Sequence, residues 1–410
     1  MSNLIPLAFR SLMRNRRRSG ITLAAITIGV AVVVFANGFA TGFVGVMIGQ
    51  AINGRAGAIQ VHAKGYLDAN EAAPLKLDMP HTPELLATLR TTPGVTAVAP
   101  RIRFGGMVNN GQRSTMMLGQ AVDPVEEFRV CPDRKAEVEE GGPGGHHVSA
   151  SDPYGGVLGG ELAASFNVRV GDSLTITAGG REGGINALDL SIRGVTRGAG
   201  MMESKRLATV PLGFAQELLQ MKGRVTEYAI AVADKRDIPQ VAAALRTRLG
   251  PEYEVSTWED VMPFLRDAVQ RMKVILGGIS GVLFVIVIFG VVNTMLMSVF
   301  ERVREIGTML AVGMRRRQVQ WLFLLEAAAL GMVGGSVGAF LGFVGSIALA
   351  VNGVRISPPG STILYAVRPE PAAWVALLAV AVAVVGALLA ALYPARKASR
   401  MDPVEALRTL

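Results

Sequence analysis

The charged residues with the clearest chemical pattern lie between positions 301 and 318, where acids and bases alternate ahead of a basic run. Side chains of both signs at this spacing can form ion pairs with a partner protein, which is recognition chemistry rather than catalysis. Val303, Ile306 and Leu310 recur at spacings of three and four, so a short helix with one apolar face is predicted. Gly313 would end this helix in a left-handed turn, before the arginines at 315–317. The pattern indicates a docking element; an ordinary basic loop that follows the positive-inside bias is the alternative.

Residues that could catalyse a reaction or hold a metal are sparse in this sequence. No GxxxxGK[ST] phosphate loop, no HExxH and no CxxC pair occurs. His146 and His147 could bind a metal, but they stand in a glycine-rich loop with no ligand cluster near in sequence, so a flexible exposed pair is expected instead. We therefore expect no enzyme activity, no metal site and no cofactor bound directly by this chain.

Four long apolar segments set the fold class. They occupy residues 20–54, 272–300, 319–354 and 371–394, and each is long enough to cross a bilayer. The sequence therefore predicts an α-helical membrane protein with four transmembrane helices and a large α+β extracytoplasmic domain.

The net charge of +9 comes from short segments beside the spans. Fourteen Lys and Arg residues but only four acids lie in residues 1–19, 301–318 and 395–410. These segments are predicted to be cytoplasmic, so both termini would lie on the cytoplasmic side of a bacterial inner membrane. The basic charge is explained in this way without a nucleic-acid partner. Residues 1–19 suit an amphipathic helix on the inner leaflet; a signal peptide is the alternative. Cys131, the single cysteine, is expected to be a free thiol on the outer side.

The extracytoplasmic domain is predicted to span residues 55–271, with a subdomain inserted at about 122–198. Strands are expected at 58–63, 95–99 and 114–119, with a turn at Gly105–Gly106. A helix that starts near residue 257 would run into the second span, so that the span projects outward as a stalk. A short outer loop at 355–370 and a cytoplasmic tail at 395–410 complete the chain.

Small residues in the third span are predicted to let helices approach closely, because glycines recur there every four positions. These helix-packing candidates are Gly331, Gly334, Gly335, Gly338 and Gly342. Glu326 stands one to two turns inside the same span and is expected to reach the interface or pair with an arginine.

Two stretches carry a family resemblance. Residues 301–338, ERVREIGTMLAVGMRRRQVQWLFLLEAAALGMVGGSVG, and the later PARKASRMDPVEALR closely resemble permeases of the MacB/FtsX type of ABC transporter. GAIQVHAKGY at 57–66 looks most like the lipoprotein-releasing LolC/LolE branch, and LGGELAASFNVRVGDSLTI is similar to the outer domain of this superfamily.

The resemblance implies a MacB-like porter domain with an inserted subdomain, a second permease as homodimer or heterodimer partner, and a separate cytoplasmic ATPase dimer that carries ATP and Mg²⁺. It implies mechanotransmission, in which ATPase closure pushes the loop between spans two and three and the second span carries the motion outward. The predicted ATPase-coupling residues are Glu301, Arg302, Arg304, Glu305, Ile306, Gly307, Leu310 and Gly313.

The resemblance also suggests the cargo, which is a lipoprotein extracted from membrane lipids and passed to a periplasmic acceptor. The expected substrate surface consists of Phe39, Phe43, Met47, Ile275, Ile279 and Val282. The alternatives are MacB-like efflux of peptides or small molecules, with or without an adaptor protein, and FtsX-like regulation of a cell-wall hydrolase. A membrane-anchored enzyme is the least favoured reading.

Overall fold

The computed structural model describes residues 16–69, 73–139, 145–196, 205–356 and 364–401. The chain divides into a helical unit (Met1–Val44, Ala268–Val354 and Ala366–Leu410) and an α/β unit (Gly45–Asp267 and Arg355–Tyr365). In chain order the α-helices are α1 (Arg16–Ala51), α2 (Pro83–Arg90), α3 (Glu127–Val130), α4 (Asp133–Glu139), α5 (Gly160–Phe166), α6 (Leu212–Leu218), α7 (Ile238–Leu249), α8 (Trp258–Val261), α9 (Pro263–Glu301), α10 (Val303–Ala311), α11 (Arg316–Asn352) and α12 (Ala373–Ser399).

The strands are β1 (Ile59–Ala63), β2 (Met79–Pro80), β3 (Val95–Asn109), β4 (Ser114–Val122), β5 (Gly155–Gly159), β6 (Ser173–Gly179), β7 (Ile185–Thr196), β8 (Leu207–Pro211), β9 (Arg224–Val225), β10 (Glu227–Val232), β11 (Tyr253–Thr257), β12 (Val354–Ile356) and β13 (Tyr365–Val367). A π-helix (Ile52–Ala56) follows α1, and a 3₁₀ turn (Lys235–Asp237) precedes α7.

The four predicted spans are confirmed as the helices α1, α9, α11 and α12, each long and apolar enough to cross a membrane. Their buried side chains form one apolar core of small and branched residues, which suits close helix packing. Its members are Ile26, Val30, Val34, Val287, Val291, Met295, Ala327, Leu330, Ala339, Ala383, Ala387, Ala390 and Ala391.

Several predicted boundaries differ from the observed ones. Most of the predicted N-terminal helix at 1–19 lies outside the described residues, and its last four residues already belong to α1. The fourth span continues to Ser399, into the predicted tail, of which residues 402–410 lie outside the described part of the chain.

The helix of the second span begins at Pro263 rather than near residue 257. Thr257 and Asp260 form a capping box, but it caps only the four residues of α8. Met262 then adopts φ −122° and ψ 65°, outside the helical region, because the ring of a following proline disfavours helical backbone at the preceding residue. From Pro263 the helix continues for 39 residues, or about 58 Å, which is nearly twice the hydrocarbon thickness.

A nine-stranded mixed sheet forms the core of the α/β unit, in the order β11-β1-β10-β3-β4-β8-β5-β7-β6. β6 also pairs with β3, so the last six strands of this order close into a barrel. The long strand β3 belongs to both parts: its first half pairs with β10, and its end at Met107–Asn109 pairs with β6. Strands from the predicted insertion at 122–198 (β5, β6 and β7) are therefore continuous with the rest of the sheet.

The predicted turn at Gly105–Gly106 is wrong, because β3 runs straight through both glycines to Asn109. The closure of the barrel explains Gly106, because a Cβ at this position would lie 2.8 Å from the carbonyl oxygen of Thr177 on β6. Glycine at this position lets the two backbones approach closely, which is a common role of glycine inside a strand.

Candidate functional site

Helix α10 has two chemically different faces, as the apolar spacing predicted. Arg304, Glu305 and Thr308 are exposed on one side, whereas Ile306 and Gly307 are buried on the other. Val312 follows the last turn and is exposed as well. The outward face therefore presents charges of both signs at the connection between the second and third spans.

The buried face of α10 packs on the ends of three spans. We call this group the α10 cluster; its buried members are Val299, Ile306, Val319, Phe323, Ala395 and Ala398. Val299 belongs to α9, Phe323 to α11 and Ala395 to α12, while Leu310 packs against the group from α10 itself. A displacement of α10 therefore acts on all three helices, because close-packed interiors transmit strain.

Gly313 ends the helix as predicted, with φ +100°. The N–H of Gly313 donates to the carbonyl of Leu310 (3.1 Å), and the N–H of Met314 donates to that of Met309 (3.0 Å). Gln318 Oε1 then accepts from the N–H of Arg315 (2.8 Å), which caps α11. These bonds fix a tight connection, beyond which the three arginines at 315–317 are exposed.

Arg302 lies apart from the other coupling candidates, because its guanidinium points inward. Its backbone (φ −114°, ψ 18°) interrupts the helix between α9 and α10. Nε donates to Oε2 of Glu305 (3.2 Å), and Nη1 lies 3.5 Å from Oε2 of Glu326 on α11. The side chain of Arg302 is 15% exposed and that of Glu326 only 5%. Glu326 is thus paired with an arginine, as expected, and that arginine is Arg302. Of the charged coupling candidates, Glu301, Arg304 and Glu305 remain at the surface.

The predicted helix-packing glycines lie against two neighbouring spans. A Cβ at Gly338 would stand 2.5 Å from the carbonyl oxygen of Thr27, and one at Gly342 would stand 2.6 Å from that of Ala31. Gly334 faces the same helix α1 through Ile26. Gly331 and Gly335 instead face α12, where both approach Ala383. The third span is therefore packed on α1 and α12 through glycine surfaces.

The predicted substrate residues fall into two groups. On α9, Ile275, Ile279 and Val282 are at least half exposed. On α1, Phe39, Phe43 and Met47 are half-buried. The α9 group is therefore the accessible part of the predicted surface.

A buried charge centre in the α/β unit was missed by the sequence reasoning. Arg101 on β3 and Glu127 on α3 are both fully buried and form a bidentate pair, with N–O distances of 2.8 and 2.7 Å. Arg134 donates to the same carboxylate (2.6 Å), and Arg101 Nη1 also lies 3.2 Å from Glu227 on β10. The available signal was a charged residue in a mostly apolar strand, namely Arg101 in β3 and Glu227 at the start of β10.

The same centre binds the chain where it leaves the first span. Arg101 Nη1 donates to the carbonyl oxygen of Arg55 in the π-helix (2.9 Å), and Nη2 lies 3.1 Å from Sγ of Cys131. Cys131 is free, as expected, but it is fully buried, and its Sγ donates to the carbonyl of Ile52 (3.4 Å). Burial raises the pKa of this thiol, so it stays protonated and serves as a donor.

Ionisation of the two buried acids follows from their partners. Burial alone raises the pKa of Glu127, but the guanidinium groups of Arg101 and Arg134 outweigh it and lower the pKa below its ordinary value. For Glu227, the raising effect of burial is likewise outweighed by Arg103, His62 and Arg101, and its pKa is lowered. Both carboxylates are therefore charged at neutral pH.

The expectation of a flexible exposed histidine pair is wrong for His147. This ring is buried, packs edge-on against Phe128, and accepts a hydrogen bond at Nδ1 from the N–H of Val148 (2.9 Å). Burial, together with Arg134, lowers the pKa of His147 to about 3. No group of three metal-ligating side chains occurs within residues 16–69, 73–139, 145–196, 205–356 and 364–401.

Comparison with known families matches both units of the chain. The model of the MacB-like periplasmic core domain matches residues 19–248, more than half of the chain. The model of the FtsX-like permease C-terminal region matches residues 277–403, which contain α10 and the α10 cluster.

Curated relatives agree with these matches. The chain is 31% identical over 224 residues to a macrolide export ATP-binding/permease protein MacB of Hyphomonas neptunium, covering 51% of this chain and 33% of that one. It is 30% identical over 215 residues to a pyoverdine export ATP-binding/permease protein PvdT of Pseudomonas syringae, covering 51% and 31%. A MacB of Nitrobacter winogradskyi is 26% identical over 413 residues, covering 98% of this chain and 59% of the relative.

The chain thus spans between about a third and three fifths of the length of these relatives. The first model covers most of α1 and of the α/β unit, and the second covers most of α9 together with α10, α11 and α12. The chain belongs to the MacB/FtsX superfamily of ABC transporter permeases.

Proposed function

We propose that this chain is the permease subunit of an ABC transporter that converts ATP hydrolysis on a separate ATPase pair into work on the far side of the membrane. The observation that carries the proposal is α10, a short helix with a charged outward face and an apolar face packed on three spans. Relatives named as ATP-binding/permease proteins support an ATPase partner. In this proposal the chain itself performs no catalysis, and ATP and Mg²⁺ bind to the ATPase.

The charge pattern supports docking at α10. Arg304 and Glu305 lie next to each other on the outward face, and the arginines at 315–317 stand just beyond the helix. Surfaces that mix both signs in this way orient a partner and exclude others. An ATPase that moves against this face would push the α10 cluster, and so the ends of α9, α11 and α12.

A second permease completes the proposed assembly. Most side chains of α9 project away from the rest of the described chain, including the large residues Val285, Ile286 and Phe289. Helix faces of this kind meet either lipid or another helix. A homodimer and a heterodimer with a paralogue fit this face equally well.

For the cargo we propose a lipid-anchored protein, extracted from the membrane and passed to a periplasmic acceptor. Ile275, Ile279 and Val282 form an exposed apolar strip on a helix that is longer than the bilayer is thick. Acyl chains could follow such a strip out of the lipid, because each buried CH₂ group contributes about 0.8 kcal/mol. A second candidate, export of a small molecule, is favoured by the names of the relatives, which cite macrolides and pyoverdine.

Purification of the full chain from native membranes in mild detergent tests the proposal, with Glu305→Arg as the decisive variant. Wild type should retain an ATPase, and the reversed charge should lower both the retained ATPase and transport by roughly tenfold. Glu182→Arg is the matched control, because it makes the same charge change on an exposed side chain of the α/β unit.

The outcomes separate the readings. Normal coupling in Glu305→Arg, or no ATPase with the wild type, would remove α10 as the docking site. Acylated proteins among the retained molecules support the lipoprotein cargo. An adaptor without lipoproteins supports small-molecule export, and a retained cell-wall hydrolase supports the regulatory alternative.

A further inference from the structure

The junction between α9 and α10 contains a shielded ion pair that does not face the proposed ATPase surface. Arg302 is the single residue between the two helices, and its backbone is not helical. Its guanidinium reaches Glu305 on α10 and Glu326 on α11 at 3.2 and 3.5 Å. Glu326 stands in the third span, where a shielded carboxylate is costly unless it is paired.

Apolar packing alone leaves the orientation of α10 weakly defined. Ile306 and Leu310 rest on the α10 cluster through contacts without direction. A charge-assisted contact has direction, and a buried polar pair is best attested as a device that fixes register. Arg302 and Glu326 supply such a contact at the first turn of α10.

We infer that Arg302 and Glu326 form a positioning pair, which holds α10 to the third span so that ATPase movement is passed on to the spans. The inference rests on the proposed function. It assigns Arg302 to transmission within the permease, whereas Arg304 and Glu305 contact the ATPase. Without the pair, the ATPase still binds and hydrolyses ATP, but α10 turns or slides on the α10 cluster and passes less of its movement to α11.

Spin labels at the ends of α11 and α12 that lie far from α10 measure this transmission. The measurement does not require the cargo to be known. Ile347→Cys and Trp374→Cys place labels at exposed positions of the two helices, and the native Cys131 is fully buried. The complete complex in lipid nanodiscs is measured without nucleotide and after trapping with ATP and vanadate. In the wild-type background the label distance should change on trapping.

Arg302→Gln should retain the same amount of ATPase and trap the same amount of nucleotide. After trapping, the ratio of complexes with the changed label distance to complexes with the nucleotide-free distance should be roughly tenfold lower than in the wild-type background. A factor of this size is typical of coupling between two sites. Arg302→Lys should keep part of the response, and the swap Arg302→Glu with Glu326→Arg should recover most of it. Glu326→Gln, which conserves shape, is the second variant if Arg302→Gln does not assemble.

Arg304→Gln is the matched comparison, since it removes the same charge two residues away on the outward face. It should lower ATPase retention, while the complexes that do form respond fully. An unchanged response in Arg302→Gln and Glu326→Gln would overturn the inference, and so would a loss of ATPase that accounts for the whole effect. A wild-type complex that hydrolyses ATP without any distance change would instead overturn the proposed function, and the role of the pair with it.

Discussion

Single residues decide the stability of the α/β unit through its buried charge centre. Arg101, Glu127 and Arg134 carry two positive charges and one negative charge at almost no exposure, and Glu227 supplies the balancing carboxylate. Such centres tolerate joint replacement better than the loss of one member, because an unpaired buried charge is left behind. The centre is therefore sensitive to protonation as well as to mutation.

Glu127→Gln should destabilise the protein by about 3–5 kcal/mol at neutral pH, since Arg101 and Arg134 lose their shared carboxylate. Acid should act in the same direction on the wild type. The pKa of Glu127 and that of Glu227 are lowered in the folded state, so their contribution is present above the unfolded value of about 4.3 and is lost as pH falls below it. His147, whose folded pKa of about 3 lies below its ordinary 6.5, adds a loss that begins already below about pH 6.5.

Thermal midpoints of the purified full chain between pH 7.5 and about 2.5 measure both effects. Glu182→Gln, an exposed carboxylate, should follow the wild-type curve. A Glu127→Gln protein as stable as wild type at pH 7.5, or a wild-type midpoint that does not fall below about pH 4.3, would contradict the role of this centre.

Sequence reasoning missed these residues for a physical reason. Arg101 pairs with Glu127 and Glu227, which are 26 and 126 positions away, so no local spacing reveals the partners. Charged side chains are almost never fully buried unless they are paired, and without the partners an exposed arginine is the ordinary expectation. Arg302 shows the same effect: local spacing predicted the neighbouring helix α10, but Glu326, which holds Arg302 inward, stands 24 positions away.

At the scale of elements, the third span depends on glycines that allow backbone contact. A Cβ at Gly338 would clash with the carbonyl oxygen of Thr27. A Cβ at Gly345 would meet only Phe35 Cδ2, at an ordinary contact distance of 3.6 Å. Both glycines stand inside the same helix. They therefore form a matched pair for separating helix propensity from packing.

Gly338→Ala should lower the thermal midpoint, because the added methyl group pushes α1 away from α11. Gly345→Ala should leave it unchanged or raise it, since alanine favours a helix over glycine by about 1 kcal/mol. Fluorescence-detected size exclusion after heating measures both variants. Equal behaviour of the two would show that the glycine surface does not determine the packing.

Long uncharged apolar runs predicted the four spans and apolar spacing predicted the amphipathic α10, because both signals are local. The boundary set by Pro263, which separates α8 from α9, was not predicted. The pair Gly105–Gly106 indicates a turn when only the local sequence is considered, because the contact that requires Gly106 comes from β6, about 70 residues later.

At the scale of the whole molecule, charge distribution predicts the orientation. We propose that α10 and both termini face the cytoplasm and that the α/β unit lies outside, as the basic segments indicate. Thr308→Cys and Glu182→Cys place thiols on exposed positions of the two units, and the buried Cys131 keeps the background low. In intact spheroplasts, a membrane-impermeant maleimide should label position 182 at once and position 308 only after permeabilisation. Immediate labelling at 308 would reverse the proposed orientation.

The sequence predicted only part of the organisation of the whole chain. Four spans and one large domain follow from composition, but the order of nine strands does not, because it is set by contacts between distant segments. The closure of the barrel through β3 and β6 is the clearest case, since three of the six barrel strands (β5, β6 and β7) come from the predicted insertion.

The position of β1 in the sheet has a consequence for synthesis. This strand directly follows the first span and its π-helix, yet its two neighbours are β10 and β11, and Ile59 pairs with Thr257. At roughly 5–20 residues per second, β1 leaves the ribosome about 10–40 s before β11 exists. During that time both edges of an apolar strand are open beside an already inserted helix, and unpaired edges of this kind invite aggregation. The sheet therefore cannot close around β1 until the last quarter of the α/β unit has been synthesised.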